Sequence, residues 1–254
     1  MKPKLFHSAP TPAKHNHVTQ NGFTLVEISI VMIIIGLLIG GVFSGMKLVD
    51  NANIQKTVQD IKAIESATLT FRDTYRALPG DIRNPGARIP NCVAPPCSLA
   101  GNGNRIIGPT DGREGSITNT SENFSFWSHL FLSDIYSFDM NGTNSMEFGE
   151  GQPNGASSWG YRITDLDLFG PVASICVRQY RTTLIVSAVH SASAVSQHAM
   201  TCTMIESIDR KIDDGQPIQG NMFGWNCQAG AFDCNAQAYA TANIGTLFYN
   251  LKGF

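Results

Sequence analysis

The sequence predicts an α+β fold: a long N-terminal helix in two halves, followed by a head built on an antiparallel sheet. Three observations carry this reading. Residues 23–46 read FTLVEISIVMIIIGLLIGGVFSGM, 24 residues in which Glu27 is the single charged side chain. From Ile54 to Leu78, apolar side chains recur at helical spacing. Beyond residue 79, short runs with β-branched and aromatic residues alternate with stretches rich in Gly, Pro, Asn and Ser. A helix-first chain followed by hairpin-like strands implies helix packed on antiparallel sheet.

The first half of the helix follows from the length and apolarity of residues 23–46. At 1.5 Å per residue the run spans about 36 Å, enough to cross a hydrocarbon core of about 30 Å. Hydrocarbon offers no partner to backbone polar groups, so the segment must be helical there. A cleaved secretory signal has a shorter apolar region ending in a small-x-small site. Here an amphipathic stretch comes next instead. Within the run, Gly36-x3-Gly40 would let helices approach closely.

Charge sets the orientation. The chain holds 18 Lys and Arg against 20 Asp and Glu, a net charge of -2. The first 22 residues carry Lys2, Lys4 and Lys14 and no acid, which leaves 15 basic and 20 acidic residues beyond them. A basic end before a membrane segment stays in the cytoplasm, so the acidic body is translocated. A charged share of 15%, against about 25% in an average protein, suits an exported surface. The balance gives no nucleic-acid footprint, which requires clustered Lys and Arg.

Glu27 is the informative residue, because an acid in a membrane segment is a functional candidate by default. The string Gly22-Phe23-Thr24-Leu25-Val26-Glu27, behind a basic end and ahead of a long apolar helix, resembles the processing site of type IV prepilins. The resemblance covers about 50 residues from Gly22 onward. It implies that a membrane aspartyl peptidase cuts after Gly22 and that the new N-terminal Phe23 is methylated. It also makes Glu27 the fifth residue of the mature chain and an assembly residue. Its carboxylate would neutralise the Phe23 amine of a neighbouring subunit among apolar helices. Opposite charges attract strongly where water is absent, and either alone is expensive.

The same resemblance implies a division into a cleaved leader, 1–22, a membrane and filament-core helix, 23–46, an amphipathic continuation, 47–78, and an exported head, 79–254. It further implies other pilin subunits as partners, together with the prepilin peptidase, an inner-membrane assembly platform and lipid. The expected location is the inner membrane, then a pilus or a periplasmic pseudopilus. A pseudopilin of a type II secretion system is the alternative to a pilus subunit.

The amphipathic half carries Ile54, Val58, Ile61, Thr68, Phe71, Tyr75 and Leu78 on one stripe. Such a stripe lies on the head, or binds a partner helix. Leu78-Pro79-Gly80-Asp81 ends it. A turn-rich stretch runs from Asp81 to Asn123, then a short helix is marked by Phe126, Trp127, Leu130, Phe131 and Ile135. Strands are expected at Trp159–Ile163, Ser174–Arg178 and Thr183–Val189, with weaker signals at Met222–Trp225 and Gly245–Leu251. Met204, Ile205, Ile208 and Ile212 read as a helix stopped at Asp213-Asp214-Gly215.

Six cysteines, Cys92, Cys97, Cys176, Cys202, Cys227 and Cys234, all lie beyond the apolar segment. An even set on the exported side fits disulfides. Six cysteines allow 15 connectivities, and sequence proximity favours Cys92–Cys97 and Cys227–Cys234, which leaves Cys176–Cys202. The spacings are poor for zinc.

Asp139, Asn141 and Glu147 offer oxygen donors of the kind calcium takes, with Asn102, Asn104, Asp111 and Glu114 as a weaker group. Gly142 sits at the wrong place for an EF-hand, and a polar turn is the competing reading. No other cofactor is expected. Enzyme motifs are missing: no Gly-x-Ser-x-Gly elbow, no Walker loop and no His-Glu-x-x-His. His129, His190 and His198 are scattered. A structural subunit is therefore expected rather than an enzyme, with a membrane-tethered exported enzyme as the remote alternative.

Overall fold

The computed structural model describes residues 22–108, 122–138, 151–156, 159–165, 182–187, 200–217, 220–227, 239–240 and 243–252. The chain divides into two units, Met1–Lys47 and Leu48–Phe254. The α+β reading holds: one long helix, α1 (Leu25–Tyr75), precedes a five-stranded antiparallel sheet.

In the first unit the helix is bare. From Phe23 to Met46 its large apolar side chains are exposed, and an 18-residue window of mean hydropathy 2.6 has no buried residue. A soluble protein hides such a surface, so this stretch is built to be covered by lipid or by other helices.

In the second unit, α1 buries Ile54, Thr57, Val58, Ile61, Ile64, Ala67, Thr68 and Phe71 in the core of the head. The stripe expected from sequence is there, and Thr57, Ile64 and Ala67 complete it. Each fully buried Ile or Phe stabilises the packing by about 1.5–3 kcal/mol. Two acids beside the stripe fix the helix to the sheet. Asp60 accepts from the Tyr161 hydroxyl at 2.9 Å. Glu65 accepts from the Tyr249 hydroxyl at 3.1 Å and from the Lys252 N–H at 2.9 Å.

The sheet comprises β1 (Gly160–Asp165), β2 (Thr182–Ser187), β3 (Met200–Thr201), β4 (Met222–Trp225) and β5 (Ile244–Asn250). Strand β2 pairs with β1 on one side and with β5 on the other, and β5 pairs in turn with β3 and β4. Alternation sorts the faces. Tyr161, Ile163, Leu184, Val186, Leu247 and Tyr249 join the stripe of α1 in the core. On the opposite face, Phe223 stacks on Phe248 with ring centroids 4.7 Å apart. The expected strand at Ser174–Arg178 lies outside the described residues.

Two further α-helices stand among the described residues of the head. Helix α2 (Glu122–Leu132) is buried from Glu122 to Leu130, with Phe126, Trp127 and Leu130 in the core. Helix α3 (Cys202–Ile212) is capped by the Thr201 side chain, which accepts from the Met204 N–H. It ends at Asp213, as its sequence leads one to expect.

Disulfides join Cys92 to Cys97 and Cys202 to Cys227. The second corrects the expectation that Cys227 pairs with Cys234 and Cys202 with Cys176. The reason is sheet topology. Thr201 pairs with Ile244 and Trp225 with Thr246, so β3 and β4 end two residues apart on the same strand, β5. Residues next to those ends meet across a separation of 25 in sequence, whereas nearness along the chain says nothing of strand neighbours. Cys176 and Cys234 lie outside the described residues. Replacing both Cys202 and Cys227 by Ala should lower the stability of the head by about 3 kcal/mol, from lost loop closure. Urea unfolding of the two forms checks this.

Candidate functional site

The first turn of α1 is where an exposed apolar helix meets a charged group. Thr24 stands directly before the helix and Glu27 three residues later. Glu27 Oε2 accepts from the Thr24 N–H at 2.9 Å and from the Thr24 hydroxyl at 2.8 Å. In return, Thr24 Oγ1 accepts from the Glu27 N–H at 3.2 Å. This reciprocal exchange is a capping box, and it satisfies two N–H groups that a helix start leaves without partners.

The box has a local cause in sequence. Thr24-x-x-Glu27 is the pattern S/T-x-x-E ahead of an apolar run, a helix-start signal in its own right. Glu27 stands out in the sequence for its charge, and the cap is a second role of the same side chain. Oε2 carries both bonds, while Oε1 takes none among the described residues. One exposed carboxylate thus holds its own helix start with one oxygen and keeps the other unbonded among the described residues. Gly22 and Phe23 precede the helix without regular structure, and Phe23 is 83% exposed.

A second polar cluster sits inside the head and was missed in the sequence. Asp81, 2% exposed, accepts from Gly103 N–H at 2.5 Å and Asn104 N–H at 3.2 Å through Oδ1, and from Arg105 N–H at 2.7 Å through Oδ2. Glu122 accepts from Asn102 N–H at 2.8 Å and Gly108 N–H at 3.2 Å. His129 Nδ1 accepts from Gly80 N–H at 2.8 Å, and its Nε2 lies 2.9 Å from the Cys97 carbonyl, which makes Nε2 the donor. Gly80 has a φ of +88°, and a Cβ there would collide with the Glu122 carbonyl oxygen. Only glycine fits.

These bonds sew the loop after α1 onto α2. The Gly101-Asn-Gly-Asn run was the available signal, since a glycine-rich loop near a core needs buried acceptors for its N–H groups. Asn102 and Asn104 spend their side-chain oxygens on the N–H groups of Asn104 and Ile106. That is turn chemistry, not ligand binding. Cys92, Cys97 and His129 lie close together, but the sulfurs are bonded to each other and both histidine nitrogens are engaged. They cannot act as a metal centre. Asp111, Glu114, Asp139, Asn141, Glu147, His190 and His198 lie outside the described residues.

Burial pushes Glu122 up to about 7, against its N–H bonds and with help from the Asp81 charge. Burial likewise raises Asp81. It raises Asp209, which is closed from solvent, to about 7, opposed by the Tyr239 hydroxyl and assisted by the charges of Asp214 and Asp213. Burial lowers His129 to about 4, opposed by its bond to Cys97. The two kinds of shift act in opposite senses on stability. The acids contribute most below their unfolded values and lose that contribution as pH rises toward 7. The histidine contributes above 6.5 and loses its share as pH falls toward 4.

Between about pH 4.5 and 6.5, Glu122 and His129 therefore offset, and Asp209 leaves a net decline as pH rises. We expect the head to lose about 3 kcal/mol from pH 5 to 7.5, read as a fall in the urea midpoint. Asp209→Asn should flatten that slope.

Residues 18–43 match the family model of the prokaryotic N-terminal methylation motif. The chain matches no curated protein and no solved structure significantly.

Proposed function

We propose, from the premise that residues 18–43 carry the methylation motif shared by type IV pilins and pseudopilins, that this chain is the precursor of a filament subunit. The peptidase of that class cuts between Gly22 and Phe23, where the backbone is exposed and outside the helix. Residues 23–46 hold the subunit in the inner membrane with the basic leader in the cytoplasm and the head outside. On assembly, neighbouring helices replace the lipid around the same apolar surface. The subunit acts as a structural element and not as a catalyst.

The observation that carries this reading is the exposed carboxylate of Glu27, whose Oε1 has no bond among the described residues, at the start of a bare apolar helix. Oε2 caps the helix, and Oε1 is left to accept the amine of a neighbour's Phe23. That pairing fixes the axial offset between subunits. Cleavage leaves a mature chain of 232 residues. This size suits a minor or specialised pilus subunit better than a major one, and the presence of Glu27 sets it apart from a tip pseudopilin that lacks the acid.

Mass spectrometry of the protein isolated from cells tests the pathway. The expected N-terminus is Phe23 bearing one methyl group. Retention of residues 1–22 in the filament-associated protein overturns the assignment.

A further inference from the structure

A cavity of 720 Å³ opens in the head just past the end of α1, and arginines dominate its wall: Arg72, Arg76, Arg83, Arg88 and Arg105, with Asp73 and Asp81. Five of the chain's 18 Lys and Arg thus meet at one concavity of a protein whose net charge is -2. Like charges gathered this way repel one another, and the two acids on the same wall, Asp73 and Asp81, offset only part of the charge of five arginines. Asp81 spends its oxygens on the N–H groups of Gly103, Asn104 and Arg105. Asp73 is exposed, 3.8 Å from Arg72 Nε.

Backbone and side-chain geometry both hold the arginines in place. Arg83 Nε–H donates to the Asn102 carbonyl at 3.1 Å, and Arg88 Nη2–H donates to the Tyr75 carbonyl. Each leaves further N–H groups of the same guanidinium unspent. Arg76 and Arg105 have no hydrogen bond or ion pair through their side chains among the described residues. Both sit in left-handed backbone, with φ of 54° and 68°. That conformation is uncommon for a residue with a Cβ and marks positions worth a functional explanation. The guanidinium fork matches the oxygens of a phosphate group two at a time. A cavity of this volume falls in the range of small-ligand sites.

We propose that this cavity binds a phosphate-type oxyanion of at least two negative charges, either free or carried on a lipid headgroup. The ligand neutralises the arginine cluster and bridges the last turn of α1 to the loop that Asp81 holds.

Calorimetry on the full chain in a nonionic detergent tests this, with inorganic pyrophosphate as one probe and short-chain phosphatidic acid as the other. Binding of pyrophosphate that weakens at least fivefold between 50 and 300 mM NaCl, as roughly expected for several contacts, supports the free form. Tighter binding of phosphatidic acid than of pyrophosphate supports the headgroup form. The double variant Arg76→Gly, Arg105→Gly should weaken either at least tenfold. Glycine adopts the left-handed backbone without strain, so this variant should keep or raise its urea midpoint, which separates lost binding from misfolding. No heat with either probe, unchanged affinity in a folded double variant, or tighter binding of an oligo-aspartate peptide than of both phosphates overturns the proposal.

Discussion

Glu27→Ala and Glu27→Gln should both abolish fibre formation while leaving the chain inserted in the membrane. The two substitutions remove different things. Alanine removes the cap and the charge together. Glutamine keeps an oxygen that can accept from Thr24, where Oε2 now takes bonds of 2.9 and 2.8 Å, and it removes only the charge. Losing a cap of this kind costs about 1 kcal/mol. That is too little to unfold a 51-residue helix. Leaving one member of a desolvated charge pair alone costs about 3–5 kcal/mol, which corresponds to well over a hundredfold in a subunit's affinity for the filament. Thr24→Ala completes the set, because it removes the cap and keeps the charge, and should still assemble. Fibre yield and membrane fractionation of the three variants are the measurements. Wild-type fibre yield from Glu27→Gln would refute the pairing of carboxylate and amine.

Asp81→Ala should strongly destabilise the loop after α1. Three backbone N–H groups converge on this carboxylate, and charge-assisted bonds of this sort contribute about 1.5–3 kcal/mol each. Gly103, Asn104 and Arg105 are exposed, so water recovers part of the loss, and a net destabilisation of about 3 kcal/mol is expected. The loop has no easy alternative path. A Cβ at Gly101 would lie 2.5 Å from the Asp81 Cα, so the two backbones already touch. Urea unfolding should show the loss. Hydrogen exchange should locate it at residues 103–105, and an unchanged exchange rate there would refute the account. Asp81→Asn keeps one acceptor oxygen and should lie between the two.

How much of this could be read from sequence depended on whether the information was local. Helix α1 was plain, because an apolar run and a 3.6-residue period need no knowledge of the rest of the chain. The stripe came out thin because Thr57 is polar and Ala67 small, although Ile64, three residues past Ile61 and four before Thr68, stood at helical spacing and was legible. Strands β2 and β5 were visible in Leu184, Val186, Leu247 and Tyr249. Strand β3, of two residues, gave no signal of its own. Its pairing with β5 is what carries Cys202 to Cys227, and the disulfide was misassigned for the same reason. The capping box was local and legible, whereas the glycine-rich run at Gly101 hinted at a loop near the core but not at its partner, since the bonds of Asp81 reach residues up to 24 apart through backbone N–H groups.

The bridge between Cys202 and Cys227 encloses α3 and β4 in a single covalent ring. A protease that nicks the chain once anywhere from Thr203 to Asn226 therefore releases no fragment. The C-terminal piece, which includes the central strand β5, stays tethered through sulfur to the rest of the head. The head can in this way be cut and still remain one molecule, and only a reductant would let the two pieces part.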